Sequence, residues 1–371
     1  MRIAFQRGMM LTHGEYVMNR MLQGLVLLFA VGTISAQVPD AAQKPFADGG
    51  KYEQGKQLSA AMDSYHAALK ASGGHCLPCL DALARVQMNM ELYKDSAGTA
   101  AQIAAQSPDA KSKAEAEFRE GLAWFRLYFA QTEGEGAIDK DPKHAANSLK
   151  QAEAALKQGE TDDPGDEVVR MLHGHVLAEM KHDEEASREF TACAAASGTS
   201  PEECARAQRF AKDVSLARGE PVPAFEAKTM DGKTVSLDSL AGKVVLVDFW
   251  ATWCTYCKRD SDYIQSMLDS FDDGRFVLLE VNVDESEAAW KHYVEDERLH
   301  GVQTRDDSKE LRSLFHVSGY PTYVIFDGDG IVRERAVGIE GDLRGTVRKL
   351  LATVPAVPAD ARTLLPKPAA E

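Results

Sequence analysis

The run Gly219-Glu220-Pro221-Val222-Pro223 constrains this chain more than any other stretch, because helical spacing stops before it and strand patterning starts after it. Neither proline can continue a helix, and each pushes the residue before it toward extended backbone. The chain therefore divides there. Its 371 residues exceed one average core, which fits a helical domain over residues 40–219 and a second domain over residues 220–353. Residues 354–371, rich in proline and alanine, read as a flexible tail.

Upstream of the division the sequence is rich in Ala, Lys, Glu and Gln, with apolar residues at helical spacing and almost no β-branched runs. Aligned on itself, it matches Gly49, Tyr52, Ala61, Tyr65 and Ala68 with Gly174, Leu177, Ala186, Phe190 and Cys193 at identical offsets. A third copy reads Gly121, Trp124, Ala145, Leu149 and Ala152, and a weaker one begins near Cys79. Small residues at such points let two antiparallel helices approach closely, while the aromatic or leucine positions fill the groove between them. On these positions the region resembles tetratricopeptide repeats, although that family's first tryptophan and closing proline are mostly missing; a non-repetitive helical bundle is the alternative. Ser200-Pro201-Glu202-Glu203 opens the last helix with a cap, a first-turn proline and two acids.

At the other end, Met18-Asn19-Arg20-Met21 precedes an apolar stretch from Leu22 to Ile34 and then Ser35-Ala36-Gln37. This pattern predicts a secretory signal over residues 1–37, since it falls short of the roughly 18 to 20 apolar residues a spanning helix needs. Translation from Met18 would give a leader of ordinary length. The expected location is periplasmic or secreted. A net charge of −15, from 57 acidic and 42 basic side chains, would repel a phosphate backbone and excludes nucleic acid as a partner.

Six cysteines form three close pairs: Cys76 with Cys79, Cys193 with Cys204, and Cys254 with Cys257. In an exported chain an even count favours disulfides, either as three structural bridges or with one pair as a working redox couple. Context separates them. After the proline run, Asp231-Gly232 marks a hairpin between Phe225–Thr229 and Thr234–Leu237. The apolar run from Val244 to Trp250 then leads straight into Ala251-Thr252-Trp253-Cys254-Thr255-Tyr256-Cys257-Lys258. Further strands are expected at Phe276 to Val283, Thr322 to Phe326 and Ile331 to Val337, with helices from Lys258, near Glu287, near Lys309 and from Leu343.

Over about residues 220–353 the chain resembles the TlpA/ResA-type thioredoxin-like oxidoreductases. The likeness rests on the run from Val247 through Cys254 and Cys257 to Lys258, on Val281-Asn282-Val283-Asp284, on Gly319-Tyr320-Pro321-Thr322 and on Asp327-Gly328-Asp329-Gly330, in that order. The fold class implied is multidomain, an all-α tetratricopeptide-like helical array followed by an α/β thioredoxin-like fold. The activity implied is thiol-disulfide exchange. Cys254, at a helix N-terminus where unpaired N–H groups stabilise a thiolate, is the exposed attacking sulfur, and Cys257, one turn deeper, is the buried resolving sulfur. By resemblance, Tyr320-Pro321 is the cis peptide beside the dithiol, and Asp248 is a buried carboxylate that assists proton transfer to Cys257. Glu280 stands where thioredoxin has a lysine. Strand alternation lets Asp248 and Glu280 face one side and share one proton, given the right register.

Two departures stand out: Thr255-Tyr256 lies between the cysteines where relatives often carry proline, and Asp260 and Asp262 replace a glutamate and a proline. Asp260 reads as a solvated first-turn acid, with tuning of the thiols as the alternative. Cys76 with Cys79, and Cys193 with Cys204, are expected as structural bridges; the alternative for Cys76 and Cys79 is a second redox couple. A c-type haem needs histidine after the second cysteine, where Leu80 stands, and zinc held by Cys76, Cys79, His66 and His75 is disfavoured by spacing. Peroxiredoxin chemistry is disfavoured because Thr252 lies two residues, not three, before Cys254. No metal or cofactor is expected. The partners expected are disulfide- or thiol-containing proteins, with reduction as the net direction and a membrane thiol carrier as electron donor. An interaction scaffold, in which the thioredoxin-like fold mainly binds, is the alternative function.

Overall fold

The computed structural model describes residues 37–354 apart from residues 56, 134–137, 139, 197, 273 and 340. All but the last residue of the expected signal segment and all but the first of the expected tail lie outside the described residues. Among those residues, nine α-helices precede the proline run: α1 (Asp40–Gln54), α2 (Leu58–Ala71), α3 (Leu77–Asn89), α4 (Tyr93–Gln106), α5 (Ala110–Glu133), α6 (Pro142–Asp162), α7 (Glu167–Glu179), α8 (Asp183–Ala195) and α9 (Pro201–Lys212). They pack as successive pairs, α1 with α2, α3 with α4, α5 with α6 and α7 with α8, and α9 closes the stack against α8. None of the described helices is long and apolar enough to cross a membrane.

The glycines explain how tightly the pairs approach. A Cβ on Gly49 would lie 2.5 Å from the Tyr65 ring, and one on Gly174 would lie 2.5 Å from the Phe190 ring. These are the positions that align in the first and last copies. The third copy is corrected: Gly121 faces Leu156, with its missing Cβ 2.5 Å from Cγ, and not Leu149. Ala152, Leu156 and Gly159 have the same spacing as Ala145, Leu149 and Ala152, so the true register lies seven residues, about two helical turns, further on. At α9 the Ser200 side chain accepts from Glu203 N–H at 3.1 Å, with Pro201 in the first turn.

After the 3₁₀ turn Val214–Ala217, a hairpin of β1 (Glu226–Lys228) and β2 (Thr234–Ser236) precedes a five-stranded sheet. The sheet runs β5-β4-β3-β6-β7, from β3 (Val244–Trp250), β4 (Phe276–Asn282), β5 (Val302–Arg305), β6 (Thr322–Phe326) and β7 (Val332–Val337). β3 pairs in parallel with β4 and antiparallel with β6, which makes it the central, fully buried strand. Helices α10 (Thr255–Ser270), α11 (Glu287–Asp296), α12 (Glu310–Leu314) and α13 (Leu343–Leu351) cover this sheet, giving a thioredoxin-like α/β fold. Sequence patterning missed β5, whose four residues are too few to show alternation.

The proline run is fastened rather than free. Val222 N–H donates to Gly330 O and Val332 N–H to Glu220 O, 2.8 and 2.9 Å, so the segment adds to the β7 edge. The Glu220 carboxylate pairs with Arg126 of α5 and, at 3.1 Å, with Arg335 of β7. Burial works to raise the Glu220 carboxyl, but the two guanidinium groups outweigh it and hold the group below its ordinary range. Nearby, Tyr93 Oη lies 3.1 Å from His316 Nδ1 and Ser313 Oγ lies 3.3 Å from Asn89 Oδ1. The α3–α4 corner thus abuts the loop leading to Tyr320-Pro321.

Candidate functional site

β3 ends at Trp250, and the turn that follows is held by Asp284, whose carboxylate accepts Thr252 N–H at 3.1 Å and Asn282 Nδ2 at 2.9 Å. This gives the Val281-to-Asp284 motif a structural role. Cys254 then caps α10, which begins at Thr255, three residues earlier than expected. Cys257 N–H donates to Cys254 Sγ at 3.1 Å, and the two sulfurs are bonded. A sulfur at this position receives a backbone donor and the positive end of the helix, both of which favour the thiolate after reduction. The expected contrast in exposure is corrected: both cysteines are 6% exposed, because the bond to Cys257 turns Cys254 Sγ inward onto the first turn of α10. What is exposed is the rim, with Trp253 at 65% and Tyr256 at 62%.

The Tyr320-Pro321 peptide is cis. Tyr320 packs edge-on against Trp253, with ring centroids 5.8 Å apart, so the proline loop and the dithiol form one surface. Pro321 O accepts Gly338 N–H at 2.9 Å, which ties that loop to the end of β7.

Beneath α10, Asp248 and Glu280 are direct neighbours in the parallel β3–β4 register, and Tyr323 is opposite Asp248 on β6. A small cavity is lined by Asp248, Cys257, Gln265, Glu280 and Tyr293 among others, and it joins the carboxylates to the resolving sulfur. The two acids differ in their partners. Glu280 accepts from Gln265 Nε2 at 2.9 Å, from Gln303 Nε2 and from Gly301 N–H; Asp248 Oδ1 is buried without a partner. Burial pushes Glu280 up to about 7 against those three donors. Burial, then the Glu280 and Asp260 charges, push Asp248 well above the ordinary carboxylate range.

Asp260 is corrected from a solvated acid to a buried one, 5% exposed, because its place on α10 faces the sheet. Its Oδ1 accepts Arg259 Nε at 2.8 Å, and its Oδ2 is buried without a partner. The Arg259 guanidinium in turn lies 5.1 Å from the centre of the Tyr256 ring. Gln265, Gln303 and Tyr323 were missed by sequence reasoning. Only the alternation of β6 offered a signal, for Tyr323.

Cys76 and Cys79 are bonded to each other, and Cys76 caps α3 with Cys79 N–H 3.3 Å from its sulfur. The local geometry copies that of Cys254 and Cys257, but the surroundings differ. Both sulfurs are buried against Ala42 and Ala68, with Phe46 packed alongside. The expected bridge between Cys193 and Cys204 is corrected: both are free thiols. Their side chains turn to separate acceptors, Cys193 Sγ to Glu167 O at 3.4 Å and Cys204 Sγ to Ala194 O at 3.1 Å. Burial pushes the Cys193 thiol up. Away from these pairs, Glu160, His173 and Glu189 cluster closely enough to ligate a cation, but His173 Nδ1 already pairs with Glu160 at 2.7 Å and Arg170 with Glu189, so all three side chains are already engaged.

Comparison with known proteins places this geometry. Residues 218–335 match the AhpC/TSA family model. The chain is 27% identical over 143 residues to the thiol-disulfide oxidoreductase ResA of Bacillus cereus, covering 38% of this chain and 83% of that protein. It is 29% identical over 129 residues to the thioredoxin-like protein YneN of Bacillus subtilis, covering 34% and 75%. Among solved structures, a thiol:disulfide interchange protein from Bacteroides sp. is 30% identical, covering 36% of this chain and 90% of that one, with a TM-score of 0.33.

Proposed function

We propose, from the premise that residues 218–335 form a thioredoxin-like domain of the AhpC/TSA family and that the chain is a thiol-disulfide oxidoreductase, that it is exported and reduces disulfides in protein substrates. The observation that carries the exchange chemistry is a bonded Cys254–Cys257 pair capping α10, beside a cis proline and above two buried carboxyls, while export rests on the leader pattern of residues 18–37. In the reduced enzyme the Cys254 thiolate attacks a substrate disulfide, forming a mixed disulfide and releasing one substrate sulfur, which takes up a proton. Cys257 then loses its proton to the carboxylate pair and attacks Cys254 Sγ, releasing the second substrate thiol. Two electrons pass to the substrate, and the enzyme is left with its Cys254–Cys257 bond.

Asp248 holds the proton and Glu280 the charge when one proton is shared, because Glu280 has three donors that suit a carboxylate while Asp248 Oδ1 has none. Pro321 offers the backbone beside it to an extended substrate segment. The exposed Trp253 and Tyr256 supply apolar contact around the sulfurs. The helical array, resembling tetratricopeptide repeats, recruits and positions the protein partner. A membrane thiol carrier outside the cytoplasm returns the enzyme to its dithiol form.

The test is substitution of each sulfur in the full chain. Cys254→Ser abolishes reduction of insulin, whereas Cys257→Ser accumulates mixed disulfides with substrates in the native host, visible on non-reducing gels. Equal trapping by both variants would refute the division of roles. Net reduction requires that the host accumulate oxidised substrates when the protein is deleted.

A further inference from the structure

Between the helical array and the proline run lies a cleft of about 130 Å³, open to solvent and distant in sequence from the dithiol. Its walls are mostly apolar, with Phe118, Leu122 and Phe129 from α5, Leu172 from α7 and Leu237, although the Arg126–Glu220 pair and Asp329 line it as well. Phe118 and Leu122 are only partly buried, so the mouth of the cleft is apolar as well. Apolar clefts hold ligands when a few convergent polar atoms fix their orientation. Here those atoms are Glu203 Oε1 and Arg206 Nε, both buried and both without a hydrogen-bond partner. They lie three residues apart on α9, which places them on one face of the helix.

We infer that this cleft is the docking site for an extended, apolar polypeptide segment of the partner, with one peptide group spanning Glu203 and Arg206. The inference rests on the reading that the array recruits a protein partner. An acceptor and a donor side by side match the N–H and C=O of an amide. A carboxylate head fits less well, because Asp238 already stands 3.6 Å from Arg206 and balances its charge. The neighbouring helix already binds main chain in this way: His175 Nδ1 donates to Ala217 O at 2.9 Å, and Glu179 accepts Gly219 N–H. The chain's own segment 217–219 thus satisfies two side chains of α7, and Glu203 with Arg206 continue the pattern unfilled. Apolar segments in extended backbone are what a non-native or partly folded substrate presents, and such a chain is also one whose disulfides are open to attack.

The probe is fluorescein-labelled, carboxymethylated α-lactalbumin, an unfolded chain with neither thiol nor disulfide, titrated by anisotropy against the oxidised full-length protein. Wild type binds. The double substitution of Glu203→Gln and Arg206→Met weakens binding about tenfold, and Val168→Trp, which fills the cleft from α7, does the same through volume. Both variants keep wild-type melting and wild-type exchange with a small aromatic disulfide after reduction, which shows that fold and dithiol are intact. Unchanged probe affinity in both variants overturns the inference, as does loss of binding in Trp253→Ala alone, which would place docking at the dithiol rim. Failure of wild type to exchange with the small disulfide would count against the oxidoreductase reading, and the anisotropy result would still decide the cleft.

Discussion

Replacing Glu280 with glutamine should flatten the pH dependence of stability in the thioredoxin-like half. Burial raises this carboxyl from its usual 4.5 to about 7, which at roughly 1.4 kcal/mol per pKa unit is worth about 3.5 kcal/mol of folding free energy. The sign follows from the direction. A carboxyl raised in the folded state keeps a proton that the unfolded chain releases, so its stabilising contribution is full below pH 4.5, declines as pH rises toward about 7 and is gone above it. Glutamine is nearly the same shape and carries no charge, and Gln303, whose Oε1 has no partner, can present either end of its amide to it, while Gln265 Oε1 already accepts His300 N–H. The assay is urea unfolding of the oxidised protein between pH 5 and 8.5, with Cys254 and Cys257 bonded so that neither titrates. Tryptophan fluorescence suits it, since Trp250, Trp253 and Trp290 report this half and only Trp124 the array. Wild type should lose about 2.5 kcal/mol more than Glu280→Gln across that window, which opens half a unit above the unfolded value of 4.5. A variant with the wild-type slope would show that Glu280 is ionised in the folded state throughout, and its raised pKa would be refuted. The same substitution removes a charge beside Asp248, so the acid limb of the exchange profile should move to lower pH.

The remaining expectations concern packing and the other cysteines. Gly174→Ala drives a methyl against the buried Phe190 ring, and overpacking of about 1–3 kcal/mol should exceed the gain of about 1 kcal/mol in helix propensity; Gly98→Ala, with nothing within 4 Å of the new methyl, should stabilise by about 0.5–1 kcal/mol. Urea midpoints of the two variants shifting in the same direction would contradict this. Thiol titration of the unfolded, unreduced protein should find two reactive groups, Cys193 and Cys204, with Cys193 protected in the native state by its burial and raised pKa; finding none would restore the bridge between them. Serine at both Cys76 and Cys79 should lower the melting temperature and leave insulin reduction in place, and loss of turnover with the fold intact would make that pair a second redox couple.

Much of the thioredoxin-like half was legible because its signals are local. A seven-residue apolar run, a strand-to-helix cysteine pair and a Tyr-Pro loop each depend on neighbours in sequence, and β3, α10 and the cis peptide stand where those signals fall. The third helical copy was misread because Ala-x-x-x-Leu-x-x-small occurs twice in α6, from Ala145 and from Ala152, and only the partner helix chooses between them. The Arg126–Glu220–Arg335 group was out of reach for the same reason in stronger form, since its members lie 94 and 115 residues apart and no spacing rule joins them.

The carboxylate site shows where such reading stops. Alternation could put Asp248 and Glu280 on one face, but a one-residue slip would have separated them, and only the β3–β4 pairing decides. Which acid keeps the proton depends on three donors from three elements: Gln265 on α10, Gly301 before β5 and Gln303 on the β5 strand that patterning did not detect. Gly301 has to be glycine there, because a Cβ would sit 2.1 Å from Glu280 Oε2. The donors collect on Glu280 and leave Asp248 the better seat for a proton, so where the pair keeps its proton is set less by the two acids themselves than by the neutral residues around one of them.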